Sequence, residues 1–320
     1  MPKRFISCMS SDFPKMTAME MKESIAMSEG RVIMAQNFGM SEGLGLMMGF
    51  TNSELEAAFG ADMIMLNGYN LYPDPNAPNP GHFWNSNVSL RLGDVKKRIG
   101  LPVGIYYEAT GIDVNNPGPG MEQYVEFLKK RIANKENLAL ALKEDADFVV
   151  IGGNPGTATP YENIIRGVRD AKEVLGDEAM ILAGKWEDGY TIPVLGDPLN
   201  ERDSKDIARD LIDAGADCIT MPAPGSRTGI TVEIIRDLVE FVHRYKKGTL
   251  CLDFLDGCIE GTDTDTIREI GLLMKQTGAD IHAIGDGGLS GCTVPENLYQ
   301  LSMTLKGRMH TWNRLMGRYR

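Results

Sequence analysis

Apolar residues in this chain gather into eight short runs: "RVIMAQNF" from Arg31, "GADMIML" from Gly60, "LPVGIYYEA" from Leu101, "DADFVVIGG" from Asp145, "AMILAGKW" from Ala179, "GADCITM" from Gly215, "TLCLDFL" from Thr249 and "GADIHAIG" from Gly278. Their near-continuous apolar character predicts strands buried on both faces, as in a parallel sheet. Between them the period lengthens to that of amphipathic helices, near 52–59, 88–99, 121–144, 160–175, 203–214, 231–247, 264–277 and 294–316. The glycine opening several of the runs suits the C′ position of the helix before it. Capping-box patterns mark helix starts at Thr51 to Glu54, Thr159 to Glu162, Thr266 to Glu269 and Thr293 to Glu296. A further box, Thr17 to Glu20, with Met16 and Met21 at staple positions, predicts an extra helix that plugs the bottom of the fold.

Eight strand-helix units without an obvious linker predict a (β/α)8 TIM barrel spanning 1–320 as one domain, with a short extra N-terminal helix and an extended C-terminal helix. A doubly wound open sheet is the rival architecture. Connections from helix to strand are only a few residues, whereas those from strand to helix are long at 67–87, 110–120 and 187–202. Long loops in a compact domain are usually functional, which puts the working face at the C-terminal ends of the strands.

Composition narrows the partners. Lys plus Arg number 33 and Asp plus Glu 44, a net charge of −11, so neither nucleic acid nor an anionic membrane is attracted to the chain as a whole. No apolar run approaches membrane-spanning length, and the five scattered cysteines lack metal-ligand spacing, so a cytoplasmic protein with buried, reduced thiols is expected. The basic tail with Lys306, Arg308, Arg314, Arg318 and Arg320 reads as a solvated helix face or as a contact with an acidic neighbouring subunit.

Candidate chemistry lies at the strand ends. After the eighth strand, "AIGDGGLSGCTVPENL" brings glycines ahead of a helix, and the amides of Gly287 and Gly288 are candidates for a phosphate cradle. After the sixth strand, Ser226, Arg227, Thr228 and Gly229 offer a cation, hydroxyls and free amides to the same anion. The bland reading of both loops is a tight turn. Lys185 ends the fifth strand, placed for Schiff-base chemistry or for neutralising substrate charge, and Trp186 beside it is a candidate substrate contact. Glu108 and Asp286 form the preferred acid/base pair, with Mg²⁺ binding as the lesser role for such carboxylates. Asp253 and Asp256 stand an odd number apart and cannot both enter one site from an extended strand. Asn67, Tyr69, His82 and Trp84 belong to a loop that reads as a substrate-covering lid or a subunit contact, while His282, in an apolar strand, reads as a core residue.

In order and spacing, "GADMIMLNGYN", "LPVGIYYEA", "DADFVVIGG", "ILAGKWEDG" and "DAGADCITMPAPGSRTG" resemble the BtpA-like barrels, over about residues 55–300. The resemblance implies the barrel and a phosphate-type mouth, and its motifs fall at Asn67, Lys185, Thr228 and Gly229. There is also some likeness to barrels labelled phosphoenolpyruvate phosphonomutase, but the Lys-Cys-Gly-His type of motif that this chemistry requires is absent. The sequence as a whole leads to the expectation of a homo-oligomeric enzyme acting on a small phosphorylated metabolite, sugar phosphate-like, by lyase, aldolase or isomerase chemistry. The alternative from another class is a non-catalytic barrel that binds a metabolite or a protein in assembly or regulation.

Overall fold

The computed structural model of the chain describes residues 2–38, 46–47, 49–72, 90–116, 122–153, 156–187, 192–289, 291–317 and 320, with the backbone alone for 122–124. In chain order its elements are α1 (Ala18–Ala26), β1 (Val32–Phe38), α2 (Asn52–Ala58), β2 (Met63–Asn67), α3 (Leu92–Ile99), β3 (Val103–Glu108), α4 (Glu122–Lys129), α5 (Lys135–Lys143), β4 (Phe148–Gly152), α6 (Tyr161–Leu175), β5 (Met180–Gly184), α7 (Ser204–Ala214), β6 (Cys218–Pro222), α8 (Val232–Tyr245), β7 (Leu250–Leu255), α9 (Thr264–Thr277), β8 (Ile281–Ile284) and α10 (Pro295–Gly317). Every strand is parallel to its neighbours, the order follows the chain, and β8 pairs back onto β1. The ring is therefore a closed (β/α)8 barrel, and the open-sheet alternative is excluded.

The recurrent "GAD" and "DAD" triplets have a role beyond ending helices. Each places an aspartate just ahead of an even-numbered strand, and that residue brackets the N–H and C=O of the first or second residue of the preceding odd strand. Asp62 gives its N–H to Ile33 O and its carboxylate takes Ile33 N–H, both at 2.8 Å. Asp147 does the same to Val103, Asp217 to Ile181 and Asp280 to Cys251. All four carboxylates also meet a basic side chain: Asp62 meets Lys306 and Arg314, Asp147 meets Lys96, Asp217 meets Lys22, and Asp280 meets His243. Strand-end amides that would otherwise lack partners are thereby satisfied, and strands are locked in pairs at the N-terminal face.

The strongest bracket corrects the expected solvated tail. A backbone break at Gly307 (φ 74°, ψ 164°) divides α10, and both Lys306 and Arg314 are buried. Lys306 Nζ reaches Asp62 at 2.8 Å and Arg314 Nε reaches it at 2.6 Å, while the rest of the Arg314 guanidinium donates to Cys8 O and Phe5 O. Burial alone would raise the Asp62 carboxyl, but the two cations outweigh it and the net shift is downward. At the same face Lys22 of α1 pairs with Asp217, and Phe5 is wholly buried, so the N-terminal segment packs beneath the ring as expected.

Other details depart from the sequence reading. The helix expected over 121–144 is two, because residues 131–133 swing beside β3, with Glu108 N–H bonded to Arg131 O and Ala133 N–H to Glu108 O. Boxes at Thr17 and Thr51 form. The other three do not. Thr159 lies one residue outside the Pro160 cap and pairs with Thr157, Asp263 rather than Thr266 caps α9, and the Thr293 hydroxyl donates to carbonyls of residues 36, 284 and 285. Cys258 is exposed, contrary to the expectation of buried thiols throughout.

Asp62→Ala leaves two cations buried without their counter-charge, and its expected cost is about 3–5 kcal/mol. Asp217→Ala, at a partly exposed bracket, should cost clearly less. Urea denaturation of both variants checks this; equal losses would show that the brackets do not rank by burial.

Candidate active site at the barrel mouth

Alternate residues of a strand face the same side, and this pleat decides which polar side chains enter the mouth. On β3, Tyr106 and Glu108 point inward: the Tyr106 ring meets Trp186 edge-on, and its hydroxyl donates to Glu108 at 3.4 Å. Beyond β5, Trp186 stacks on inward-facing Phe254 of β7, with centroids 4.9 Å apart, and its indole N–H donates to Asp256 at 3.1 Å. These rings form an aromatic floor under a polar opening. The expected separation of Asp253 from Asp256 holds. Asp253 faces Thr277 and His282 away from the mouth, so His282 is a satisfied core residue.

Five carboxyl groups crowd the opening: Glu108, Glu187, Asp256, Glu260 and Asp286. Opposing them among the described residues are Arg131, Lys185 and Arg227. Burial, then the Asp256 charge, drives the Glu187 carboxyl well above its ordinary range. The same causes push Glu260 and Asp286 each up to about 7. Burial also raises Asp256, against hydrogen bonds from Gly257 N–H, Trp186 and Glu260 that favour its charged form. Several buried polar atoms here make no hydrogen bond: Thr220 Oγ1, Arg131 Nε and an Arg227 terminal nitrogen. Such atoms are rare in a folded interior and call for a partner from outside the chain, such as water, an ion or a ligand.

The glycine loop after β8 has another use than the expected one. Gly287 N–H donates to Glu260 Oε1 at 2.9 Å, so one of the protein's own carboxylates sits where the phosphate was expected. A Cβ at Gly287 would come within 2.7 Å of that oxygen, and one at Gly285 within 2.5 Å of Asp256 Oδ1. These glycines are needed to admit two acids to the loop. Gly288 packs against Gly261 instead of facing an open cradle.

Of the loop after β6, only Arg227 turns to the mouth, donating to Trp186 O at 3.3 Å and lying 4.0 Å from Glu187. Ser226 closes its own turn by donating to Ala223 O, and Thr228 and Gly229 are exposed. Lys185 is buried at the end of β5 and donates to Thr159 O at 3.2 Å. Trp186, expected to touch substrate, is sealed into the floor with 1% exposure. Tyr69 is no lid residue either. Its buried hydroxyl donates to Glu144 at 2.7 Å and accepts from Leu92 N–H, pinning the loop after β2 to α5 and α3. Asn67 does reach the mouth, where it accepts from Arg131. His82 and Trp84 lie outside the described residues.

Sequence reasoning missed Arg131, Glu187 and Glu260, and passed over Asp256. Arg131 was hidden inside an unbroken helical period, although Asn134, which caps α5 by accepting from Asn137 N–H, was a usable signal of a second helix start. In place it lies 3.6 Å from Glu108, with both side chains buried.

One trio of possible metal ligands occurs among the described residues, His243, Cys251 and Asp280, with ligand atoms within 4.8 Å of one another. It lies at the opposite face, where Asp280 already accepts from Cys251 N–H and meets His243 at 2.9 Å as the fourth bracket. An imidazole and a thiol suit a softer ion than the expected Mg²⁺, and burial drives the Cys251 thiol away from the ligating thiolate form.

A closed (β/α)8 barrel with an acid-rich opening is the class that the geometry defines. Within that class the chain belongs to the family described as a domain of unknown function, DUF7916, matched over residues 6–319. The match is to this family rather than to the BtpA-like barrels, whose likeness carried over only the barrel. No curated protein matches the sequence. Among solved structures, the carboxyl transferase domain of Rhizobium etli pyruvate carboxylase with pyruvate aligns at TM-score 0.53 and 11% identity, over 98% of this chain and 52% of that one. This chain therefore spans about half of that relative's length. A putative lyase/mutase from Burkholderia cenocepacia J2315 aligns at TM-score 0.49 and 17% identity, covering 85% and 83% of the two chains. A 2,3-dimethylmalate lyase of the PEP mutase/isocitrate lyase superfamily aligns at 0.47 and 14%, covering 84% and 81%. At these identities the likeness is one of fold. No helix among the described residues is long and apolar enough to cross a membrane.

The raised Asp286 carboxyl has a consequence for stability. The folded chain holds this proton up to about pH 7, whereas an unfolded aspartate releases it near 4, so stability falls as pH rises through that window and stays lowered above it. Each unit of such a shift corresponds to about 1.4 kcal/mol. Asp286→Asn removes the effect and should be more stable than wild type at pH 8, with the difference closing towards pH 4. Chemical denaturation at both pH values checks this, and a variant less stable at pH 8 would contradict it.

Proposed function

We propose that the protein is an enzyme of lyase, aldolase or isomerase type that moves a proton on a small anionic metabolite, of the phosphorylated kind expected from its sequence. The observation that carries this reading is the pair Asp286 and Glu260. Burial and the neighbouring Asp256 charge raise both, and each changes charge near neutral pH. Carboxyls poised in this way can accept and return protons at working pH, a property of general acid and base groups.

In this reading Asp286 is the base, and Glu260, hydrogen-bonded to Asp256, returns the proton. Lys185 and Arg227 supply positive charge where negative charge develops on the substrate. Glu108, the expected partner of Asp286, is held between Arg131 and Tyr106, an arrangement that suits positioning the cation better than transferring a proton. The aromatic floor beneath the site excludes water from below.

Incubating the protein in D₂O with a panel of sugar phosphates and small hydroxy acids, followed by proton NMR, tests the reading whichever of the three reaction types operates. Wild type should exchange deuterium into at least one compound or convert it, and Asp286→Asn should slow this by about 10²-fold or more. Tight binding of a panel member without exchange or turnover would instead favour a non-catalytic metabolite-binding barrel.

A further inference from the structure

With Gly287 N–H held by Glu260, the proposed substrate's anionic group needs another seat. We infer that this seat is a side cavity of about 210 Å³ between the start of the loop after β2 and α4, lined by Gly68, Tyr69, Asn70, Glu126, Phe127, Lys130 and Arg131, and that it takes a phosphate or carboxylate on Arg131. The inference rests on the reading of a small anionic substrate and gives that substrate its anchoring point.

Arg131 is 3% exposed, and its Nε is buried with no partner. Its guanidinium is otherwise oriented from several sides. It donates to Asn67, lies 3.6 Å from Glu108, and sits over the Phe127 ring at 4.5 Å from the centroid. A planar cation held this firmly on a cavity wall is pre-organised for an oxyanion, to which it would give a charge-assisted bond. Lys130 adds a second positive charge to the same wall. Glu126, the only acid among the described residues that line the cavity, is paired with Lys129 at 2.7 Å on the exposed side of α4. The cavity is many times the roughly 10–15 Å³ that one water needs, leaving room for a small anion and the carbons attached to it. Arg131 also touches Asn67 and Glu108 at the mouth, and its charge reaches the Asp286 carboxyl, so the seat and the proposed base share this one cation.

Isothermal titration with inorganic phosphate and, separately, with malonate tests the seat at low ionic strength. Wild type should bind at least one of them, the tighter ligand indicating which terminal group the cavity is built for. Arg131→Gln should weaken that binding at least tenfold, with Arg131→Lys recovering part of it. If circular dichroism shows that Arg131→Gln does not fold, Lys130→Gln and Glu126→Gln decide, and they should weaken and tighten binding respectively. No binding by wild type, unchanged affinity in the folded variants, or loss with Arg227→Gln but not with Arg131→Gln would each overturn the assignment. Arg131-dependent binding without turnover of any compound would keep the seat and remove the catalytic reading. Turnover that ignores Arg131 would do the reverse.

Discussion

The fold depends on how a ring of eight strands is kept shut at its lower rim. Barrel strands run out of sheet partners near their first residues, and four aspartates supply what is missing by bracketing one residue at the start of every odd strand. A basic group neutralises each of them. At Asp62 that group comes from the far end of the chain, so the C-terminal helix is bound into the closure together with the N-terminal segment. Charge placed at the lower face in this way leaves the upper face free to carry charges that do not favour stability.

The upper face carries them at a cost. Five carboxyls meet three cations around an aromatic floor, and the excess negative charge can be kept out of water only by holding protons. That is the physical link between the crowding of acids and proton transfer at neutral pH. It also explains why a loop with the appearance of a phosphate cradle is filled from within: Glu260 uses the Gly287 amide to offset part of its own burial. Stability and readiness for chemistry pull in opposite directions here, as they commonly do at functional sites.

Much of the architecture was legible in the sequence, because apolar runs and helical periods are local signals. All eight strands and the short connections beneath them could be read that way. The triplets that repeat along the chain were seen but credited to their glycines, since the partner of each aspartate lies 29 to 44 residues away. Capping boxes at Thr159, Thr266 and Thr293 lost to competing partners. A nearby Asp263 replaced Thr266, Thr157 took the Thr159 hydroxyl, and tertiary carbonyls drew in Thr293. At the site, Lys185, Glu108, Arg227, Asn67 and Asp286 were placed at the mouth by strand position alone. Arg131 was lost because helical periodicity carries through the break that turns it inward, and the bond between Glu260 and Gly287 joins two loops that no spacing rule connects.

The central claim is that this mouth keeps two carboxyl groups protonated to about neutral pH. Carbon-detected NMR of the protein labelled at its Asp and Glu side-chain carboxyls, titrated from pH 3 to 9, tests it most directly. Resonances with midpoints near 7 are expected for Asp286 and Glu260, one lost in Asp286→Asn and the other in Glu260→Gln, beside a Glu187 resonance that is also raised. If every carboxyl has titrated below about pH 5, in the ordinary range of these groups, the account of the site is wrong even though the barrel remains.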